Sequence, residues 1–396
     1  MKVTLTGCGG GTPKTLTADA RSAFVRADLI AGAARLLETL PEGCTENRRA
    51  AVQAAAIVEI LRSSGAERPC VAFSGDTGFY SGVQSLVPLL DEVGIDWEII
   101  PGISSVQLFS ARLGRPWQDW NLVSAHGKDS DPVGAVCHGK PAFFLTGGNP
   151  AEICAQLTDA GLGFLPVTAG ERLSYPDERI SQGTAAAFAD RTFAPLTVLL
   201  AEAAPRADRR AGLPDSCFLR GKVPMTKQEV RAVISAKLAV TPEETAWDVG
   251  AGTGSVSVEL SGQARRVYAV ECGVEACELI RQNRARFCAW NLTLTEGRAP
   301  EALAALPPPD AVFIGGTSGE MAAVIRAALA KNPAVRFCIS AIALETLSAA
   351  AAALDANGIR AEVVQIAVSR SKPAGTLRLL LANNPVFLIT GQGGGI

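Results

Sequence analysis

Asp248-Val249-Gly250-Ala251-Gly252-Thr253-Gly254 sets an aspartate two residues before three glycines at alternate positions, and a glutamate, Glu271, stands 21 positions after the first of them. Alternate glycines let backbone approach a ligand with no Cβ in the way. The run before them, 245–249, reads as a buried strand. The run after them, from Ser255 to about Leu260, reads as a helix start whose unpaired N–H groups favour an anionic group. An acidic side chain about 20 residues past such a turn, at the end of the next strand (266–270), reaches ribose hydroxyls and repels a 2′-phosphate, which disfavours NADP. The spacing also differs from the Gly-x-Gly-x-x-Gly of dinucleotide sites. Asp248 would oppose a pyrophosphate, whereas it can neutralise an ammonium. S-adenosylmethionine carries an ammonium, a carboxylate and a sulfonium, so it fits this turn better than NAD does.

The elements that position this turn belong to a chain of 396 residues, long enough for about two domains. Apolar residues make up 48% and the formal net charge is −2, which describes a soluble globular protein with no global field toward nucleic acid or membrane. No apolar run reaches the roughly 18 residues of a membrane span, and the N-terminus lacks an apolar signal core. Ten cysteines without a Cys-x-x-Cys pair read as reduced thiols in a cytoplasmic protein, and no metal site is expected. Only two histidines occur, His126 and His138, so no Ser-His or Cys-His chemistry is available beyond residue 138.

In the first half, strands alternate with helices. Strands are expected at 3–6, 28–32, 70–73 and 97–100, several running into turns of small residues, and Ser104-Ser105 opens a helix to about Leu113. Alternation of this kind means an α/β layer structure with ligand sites at the strand ends. Residues 202–224 carry three prolines and read as an exposed connection, placed at 205–217, with Arg206, Arg209 and Arg210 in solvent. In the second half, Thr226 and Glu229 form a capping-box pattern at the start of a helix. Strands at 245–249, 266–270, 294–296, 310–314, 336–340, 362–366 and 376–381 complete a seven-stranded sheet, the last two as a hairpin that adds an antiparallel member.

Residues 1–203 resemble the N-terminal domain of the precorrin methyltransferases of cobalamin synthesis. The carrying segments are Gly7-x-Gly-x-Gly with Leu16-Thr17, Ser74-Gly75-Asp76-x-Gly78-Phe79-Tyr80, Pro101-Gly102-Ile103-Ser104-Ser105, Ala111-Arg112-Leu113-Gly114-x-Pro116-Trp117, Ser124-Ala125-His126-Gly127 and Glu171-Arg172-Leu173-Ser174-Tyr175-Pro176-Asp177-Glu178. One segment departs: Gly9-Gly10-Gly11-Thr12 stands where the family has Gly-Pro-Gly-Asp. The resemblance implies a two-lobed class III fold with S-adenosylmethionine between the lobes, lined by Gly75, Asp76, Ser104, Ser105, Leu145 and Thr146, and methylation at C5 of the corrin precursor. His126 reads either as a polar contact or proton acceptor beside the substrate, or as a structural histidine in a strand-to-loop turn.

Residues 219–382 resemble the C15-methylating, C12-acetate-decarboxylating methyltransferase of the same pathway. Arg220-Gly221-x-Val223-Pro224-Met225-Thr226-Lys227-x-Glu229-Val230-Arg231, the stretch 248–259, Ala269-Val270-Glu271, Gly297-x-Ala299-Pro300 and Phe313-Ile314-Gly315-Gly316 carry it. A Rossmann-like class I fold with a seven-stranded mixed sheet is implied. So is a second S-adenosylmethionine, held by Thr226, Asp248, Gly250, Gly252, Gly254, Glu271, Gly297 and Ala299. The candidate catalytic residues are His126, Asp76 and Arg298. Arg220, Lys227, Arg231, Arg370 and Lys372 are candidates for the substrate's carboxylates. The expected domains are 1–204 and 218–396, joined by 205–217, in a homo-oligomer acting on a tetrapyrrole with or without cobalt. The alternatives from other classes are an NAD-dependent oxidoreductase and a non-catalytic S-adenosylmethionine-binding protein.

Overall fold

Short apolar runs bounded by glycine, proline or polar turns become the strands, and the periodic stretches between them become the helices that cover the sheets. The computed structural model describes residues 1–125, 130–207, 209–317 and 319–394. It falls into two units, Met1–Ala203 and Ala204–Ile396.

The first unit has two five-stranded sheets. Strands β1 (Lys2–Gly7), β2 (Leu29–Gly32), β3 (Arg48–Ala50), β4 (Pro69–Phe73) and β5 (Asp96–Ile100) run in the order β3-β2-β4-β1-β5, all parallel. A parallel sheet needs cover on both faces. Ile57, Val58 and Leu61 of the helix Ala54–Ser64 pack on one face with Val3, Leu5, Leu29 and Val71, while Ala20 and Phe24 of the helix Ala18–Arg26 pack on the other with Ile30 and Cys70. The second sheet holds β6 (Asn121–Ser124), β7 (Ala142–Leu145), β8 (Pro166–Glu171), β9 (Arg179–Thr184) and β10 (Thr197–Ala201) in the order β6-β7-β10-β8-β9, with only β6 and β7 parallel. The helix Ser105–Leu113 starts at Ser104, which forms a capping box with Gln107, and ends at Gly114 in the left-handed region. Its Val106 and Phe109 join the core of the second sheet.

The second unit is built on a seven-stranded sheet of β11 (Thr245–Val249), β12 (Arg266–Glu271), β13 (Leu292–Glu296), β14 (Ala311–Ile314), β15 (Arg336–Ala341), β16 (Glu362–Ile366) and, after the ribbon β17 (Ser369–Ala374) and β18 (Leu377–Ala382), β19 (Val386–Gln392). The order is β13-β12-β11-β14-β15-β19-β16, parallel except for β19. Central β11 is buried throughout, with Ala246 in one helix layer and Trp247 and Val249 in the other.

The mixed seven-stranded sheet matches expectation, but its antiparallel member does not. The sequence pattern puts the run 376–381 in the sheet, and the structure instead pairs β18 with β17 in a separate two-stranded ribbon whose Leu377, Leu379, Leu380 and Leu381 are exposed. Asn383-Asn384-Pro385 turns the chain back, and β19 enters between β15 and β16 with Leu388 and Ile389 buried. Both runs are apolar, so periodicity could not separate them. The capping box at Thr226 is absent too. The helix Gln228–Leu238 starts after Lys227 with no side-chain cap of its own, and Asp215 accepts from Gln228 N at 2.9 Å instead. Glu229 turns to Arg370 at 2.6 Å.

The stretch 205–217, expected as an exposed connection, lies on the second unit. Arg209 donates to Asn291 at 2.7 Å and Ser261 at 3.2 Å, and the N–H groups of Gly212 and Leu213 reach Glu259 at 2.9 and 3.1 Å. Glu259 belongs to the helix Ser255–Ser261 that follows the glycine turn. It is buried and pairs with buried Arg231 at 2.7 Å, and Arg231 also meets Asp215 at 2.9 Å and lies over the Phe218 ring. Removing one member of a buried pair leaves the other charge uncompensated, at a cost of about 3–5 kcal/mol. Arg231→Met should therefore destabilise the second unit by about that amount, while Arg231→Met with Glu259→Gln should recover part of it. Denaturant midpoints of the full chain test this, and an unchanged midpoint for the single variant would refute it.

Candidate active sites

In the first unit, the ends of β1, β2, β4, β5, β7 and β8 surround a cavity of about 420 Å³. Its floor depends on glycine. A Cβ on Gly7 would lie 2.6 Å from Gly102 N, and one on Gly102 would lie 2.3 Å from Gly75 O, so three loop backbones touch where no side chain fits. Asp76 locks this contact, its Oδ1 accepting from Gly102 N at 3.1 Å and its Oδ2 from Gly78 N at 2.8 Å. This catalytic candidate thus braces the turns, with two of its roughly four acceptor positions taken. Gly75, Asp76, Ser105, Leu145 and Thr146 all line the cavity. Ser104 does not: it is buried and its hydroxyl serves the helix cap. His126 lies outside the described residues. Thr12, where the resembling family has an acid, turns its hydroxyl to Ser174 at 3.2 Å. Arg35 and Tyr175, which the sequence reading did not assign to the site, also line it. The glycine turn after β2 was the available signal for Arg35.

In the second unit, four parallel strands end together. Gly250, Gly252 and Gly254 have φ of 71°, 57° and 73°. A Cβ on Gly250 would stand 2.3 Å from Gly316 O, in the loop after β14. Gly252 N donates to Glu271 Oε2 at 2.9 Å, and Gly297 N donates to Glu271 O at 2.9 Å. Cys272 N and Gly273 N each reach Glu271 Oε1 at 2.8 Å. A carboxylate accepts about four hydrogen bonds, so Glu271 keeps room for one ribose hydroxyl at the strand end. Val223 and Pro224 lie against Gly252, which brings the segment carrying Arg220, Thr226 and Lys227 to the turn. The close-packed left-handed glycines and the carboxylate facing them suit a nucleoside with a small charged tail.

Asp248 is not the ammonium acceptor expected from the sequence. It has no exposed surface; Ser257 Oγ donates to its Oδ2, and its Oδ1 has no partner among the described residues, like neighbouring Trp247 Nε1 and Thr253 Oγ1. Burial raises its pKa from 3.8 to about 7, against the hydrogen bond from Ser257 and with a small contribution from the charge of Glu271. It ties β11 to the helix after the turn. Arg231 is likewise no substrate contact, because it is buried on Glu259 and Asp215. Arg370 is held by Asp215 at 2.9 Å and Glu229 at 2.6 Å. Arg220, Arg298 and Lys372 are exposed, Lys227 is half-buried, and none of them has an ion pair among the described residues. Ala299 is buried and Gly254 opens the helix. Among the described residues no group of three His, Cys, Asp or Glu is placed to hold a metal, and no helix is long and apolar enough to cross a membrane.

An acid whose folded pKa lies above its unfolded value stabilises fully below the unfolded pKa and loses that contribution as pH rises. The chain should therefore lose stability relative to Asp248→Asn between about pH 4 and 7, at up to about 1.4 kcal/mol per pH unit. Unfolding midpoints of both proteins across this window check it; a gap that stays constant with pH would show that Asp248 is charged in the fold.

Residues 2–189 match the family model of tetrapyrrole (corrin/porphyrin) methylases, and residues 191–391 that of a precorrin methyltransferase domain. The precorrin-6Y C(5,15)-methyltransferase [decarboxylating] of a Sinorhizobium species is 31% identical over 388 residues, 94% of this chain and 92% of that protein. A probable cobalt-precorrin-6B C(15)-methyltransferase (decarboxylating) of Pyrobaculum calidifontis is 42% identical over 184 residues, 45% of this chain and 94% of that protein. A crystal structure of precorrin-6y C5,15-methyltransferase from Geobacter metallireducens is 38% identical, covers 46% of this chain and 95% of that chain, and has a TM-score of 0.44. With one family model spanning residues 191–391 and one relative aligned along nearly the whole length, the chain belongs to the family of decarboxylating precorrin-6Y C(5,15)-methyltransferases.

Proposed function

We propose that this chain methylates a corrin precursor at C5 and C15 and releases the C12 acetate carboxyl as CO2, with the C5 step in the first unit and the other two in the second. The observation that carries this division is the presence of two crevices of different build on one chain, each at the carboxyl ends of parallel strands. Each would hold one S-adenosylmethionine. The relative aligned over 94% of the chain is named for precorrin-6Y, with no cobalt in its name, and on this we favour the cobalt-free substrate. A nicotinamide-dependent or merely binding role is not favoured in a family of methyltransferases. Ten cysteines, with no disulfide among the described residues, fit a reducing compartment such as the cytoplasm.

When bound, the cofactor supplies an electrophilic methyl group, and the leaving thioether needs no proton. The protein's task is alignment, worth roughly 7–11 kcal/mol in well-oriented systems. In the second unit Glu271 and the glycine turn fix the nucleoside. Arg220, Lys227 and Lys372 would meet acidic side chains of the tetrapyrrole, each without an ion pair among the described residues. Arg298, exposed after Gly297, is a further contact on the same rim. The C5 and C15 sites separate in one variant. Gly250→Val puts a side chain where Gly316 O stands, so it should abolish C15 methylation and CO2 release while C5 methylation continues. Labelled cofactor with precorrin-6B reads this out, and loss of both methyl transfers together would sink the division of labour.

We also propose that the chain forms a homo-oligomer through the β17–β18 ribbon, whose exposed leucines and unpaired strand edges are a costly surface for a monomer. Leu380→Lys should lower the sedimentation mass; an unchanged mass would place the interface elsewhere.

A further inference from the structure

The cavity of the first unit contains a cation that no carboxylate neutralises among the described residues. Other arginines of the first unit are paired with acids: Arg112 is on Glu178, Arg115 on Glu202, Arg172 on Asp177, and Arg179 and Arg191 both on Glu171. Arg35, half-buried on the helix Ala34–Leu37 after β2, instead lines the cavity and donates only to hydroxyls, to Ser74 Oγ at 2.7 Å and to Tyr175 OH at 3.5 Å. A guanidinium has five N–H donors, so most of its capacity remains. The two hydroxyls that accept from it can each turn their own proton toward a third group. Three donors therefore converge on one place at the cavity wall.

This arrangement is built into the fold. Arg172 lies over the Tyr175 ring at 4.8 Å and holds it in place. On its other side is the three-glycine loop. A Cβ on Gly11, at φ 86°, would stand 2.5 Å from Tyr175 OH and 3.2 Å from an Arg35 nitrogen, so the loop is bare where the pair needs room. The ligand that satisfies a guanidinium flanked by two hydroxyls is a carboxylate. Two sources of carboxylate enter this cavity on the reading above, the tetrapyrrole's acidic side chains and the methionine end of the cofactor. The cofactor's carboxylate has an ammonium beside it and wants an acid nearby. Among the described residues no acid pairs with Arg35, so the place beside it suits a carboxylate that carries no ammonium of its own.

We infer that Arg35, with Tyr175 and Ser74, grips a side-chain carboxylate of the tetrapyrrole and so sets which part of the macrocycle faces the methyl donor in the first unit. This rests on the C5 assignment made above. The test is made on the full chain with precorrin-6B and ¹³C-methyl-labelled cofactor, which separates the C5 methyl from the C15 methyl by NMR. Arg35→Gln should raise the tetrapyrrole KM of the C5 step by roughly 10–100-fold with little change in kcat. Arg35→Lys should recover part of the loss, because it keeps charge without the fork. Tyr175→Phe, which keeps the ring packing, should raise KM by a smaller factor. The affinity for S-adenosylhomocysteine and the C15 step should not change. Unchanged KM in both Arg35→Gln and Tyr175→Phe would overturn the inference. So would weakened S-adenosylhomocysteine binding, which would hand the carboxylate to the cofactor. A wild-type protein that fails to methylate C5 would instead overturn the assignment of the site, before any variant is compared.

Discussion

Backbone N–H groups in the loops at strand ends need acceptors, and in this protein acidic side chains supply them. A buried donor left without a partner costs about 1–3 kcal/mol, and a carboxylate can take several at once. Asp76 joins the loops after β4 and β5 in this way, and Asp28 takes the N–H groups of Glu67 and Arg68 at 2.8 and 3.0 Å ahead of β4. Asp310 takes Thr245 N at 2.8 Å at the start of β11. Glu271 gathers Gly252, Cys272 and Gly273, and Glu259 gathers Gly212 and Leu213. Both crevices owe their shape to these bonds, because each holds a glycine loop at the distance its missing side chains permit.

The same rule decides which residues are left for ligands. Asp76 spends two of its roughly four acceptor positions on the turns and Glu271 spends three, which leaves both with room for a ligand group. Asp248 differs, since only Ser257 meets it among the described residues and burial raises its pKa to about 7.

Much of this was legible beforehand and some could not be. Glycine spacing, the strand before it and the acid on the next strand mark the second crevice because they are local patterns with one geometric meaning. The alternation of strands with small-residue turns gives the α/β class for the same reason. The partners of charged residues are tertiary facts. Arg231 and Arg370 carry the same local signature as Arg220 and Lys372, yet two of these are neutralised by acids from distant segments and two are not. Asp215, read as part of a connection, is the acid that captures both arginines. The runs 377–382 and 386–392 are similarly alike in composition, and only the turn at 383–385 and the slot between β15 and β16 decide which one is buried.

This bears on how a site for a polyanion is found. A substrate with many carboxylates is attracted by net charge, and an arginine already paired with a glutamate presents almost none. Counting basic residues near a cleft therefore overstates its pull. Subtracting those whose guanidinium is filled leaves Arg35 in the first unit and Arg220, Lys227, Arg298 and Lys372 in the second as the unpaired cations of the two candidate sets. The two crevices differ in build, a cavity walled by two sheets and a glycine turn on one sheet. What they share is cations without a counter-charge among the described residues, Arg35 held by two hydroxyls in one and exposed or half-buried side chains in the other. Such a cation costs little folding energy at a half-exposed rim, and its charge stays available for the incoming carboxylate.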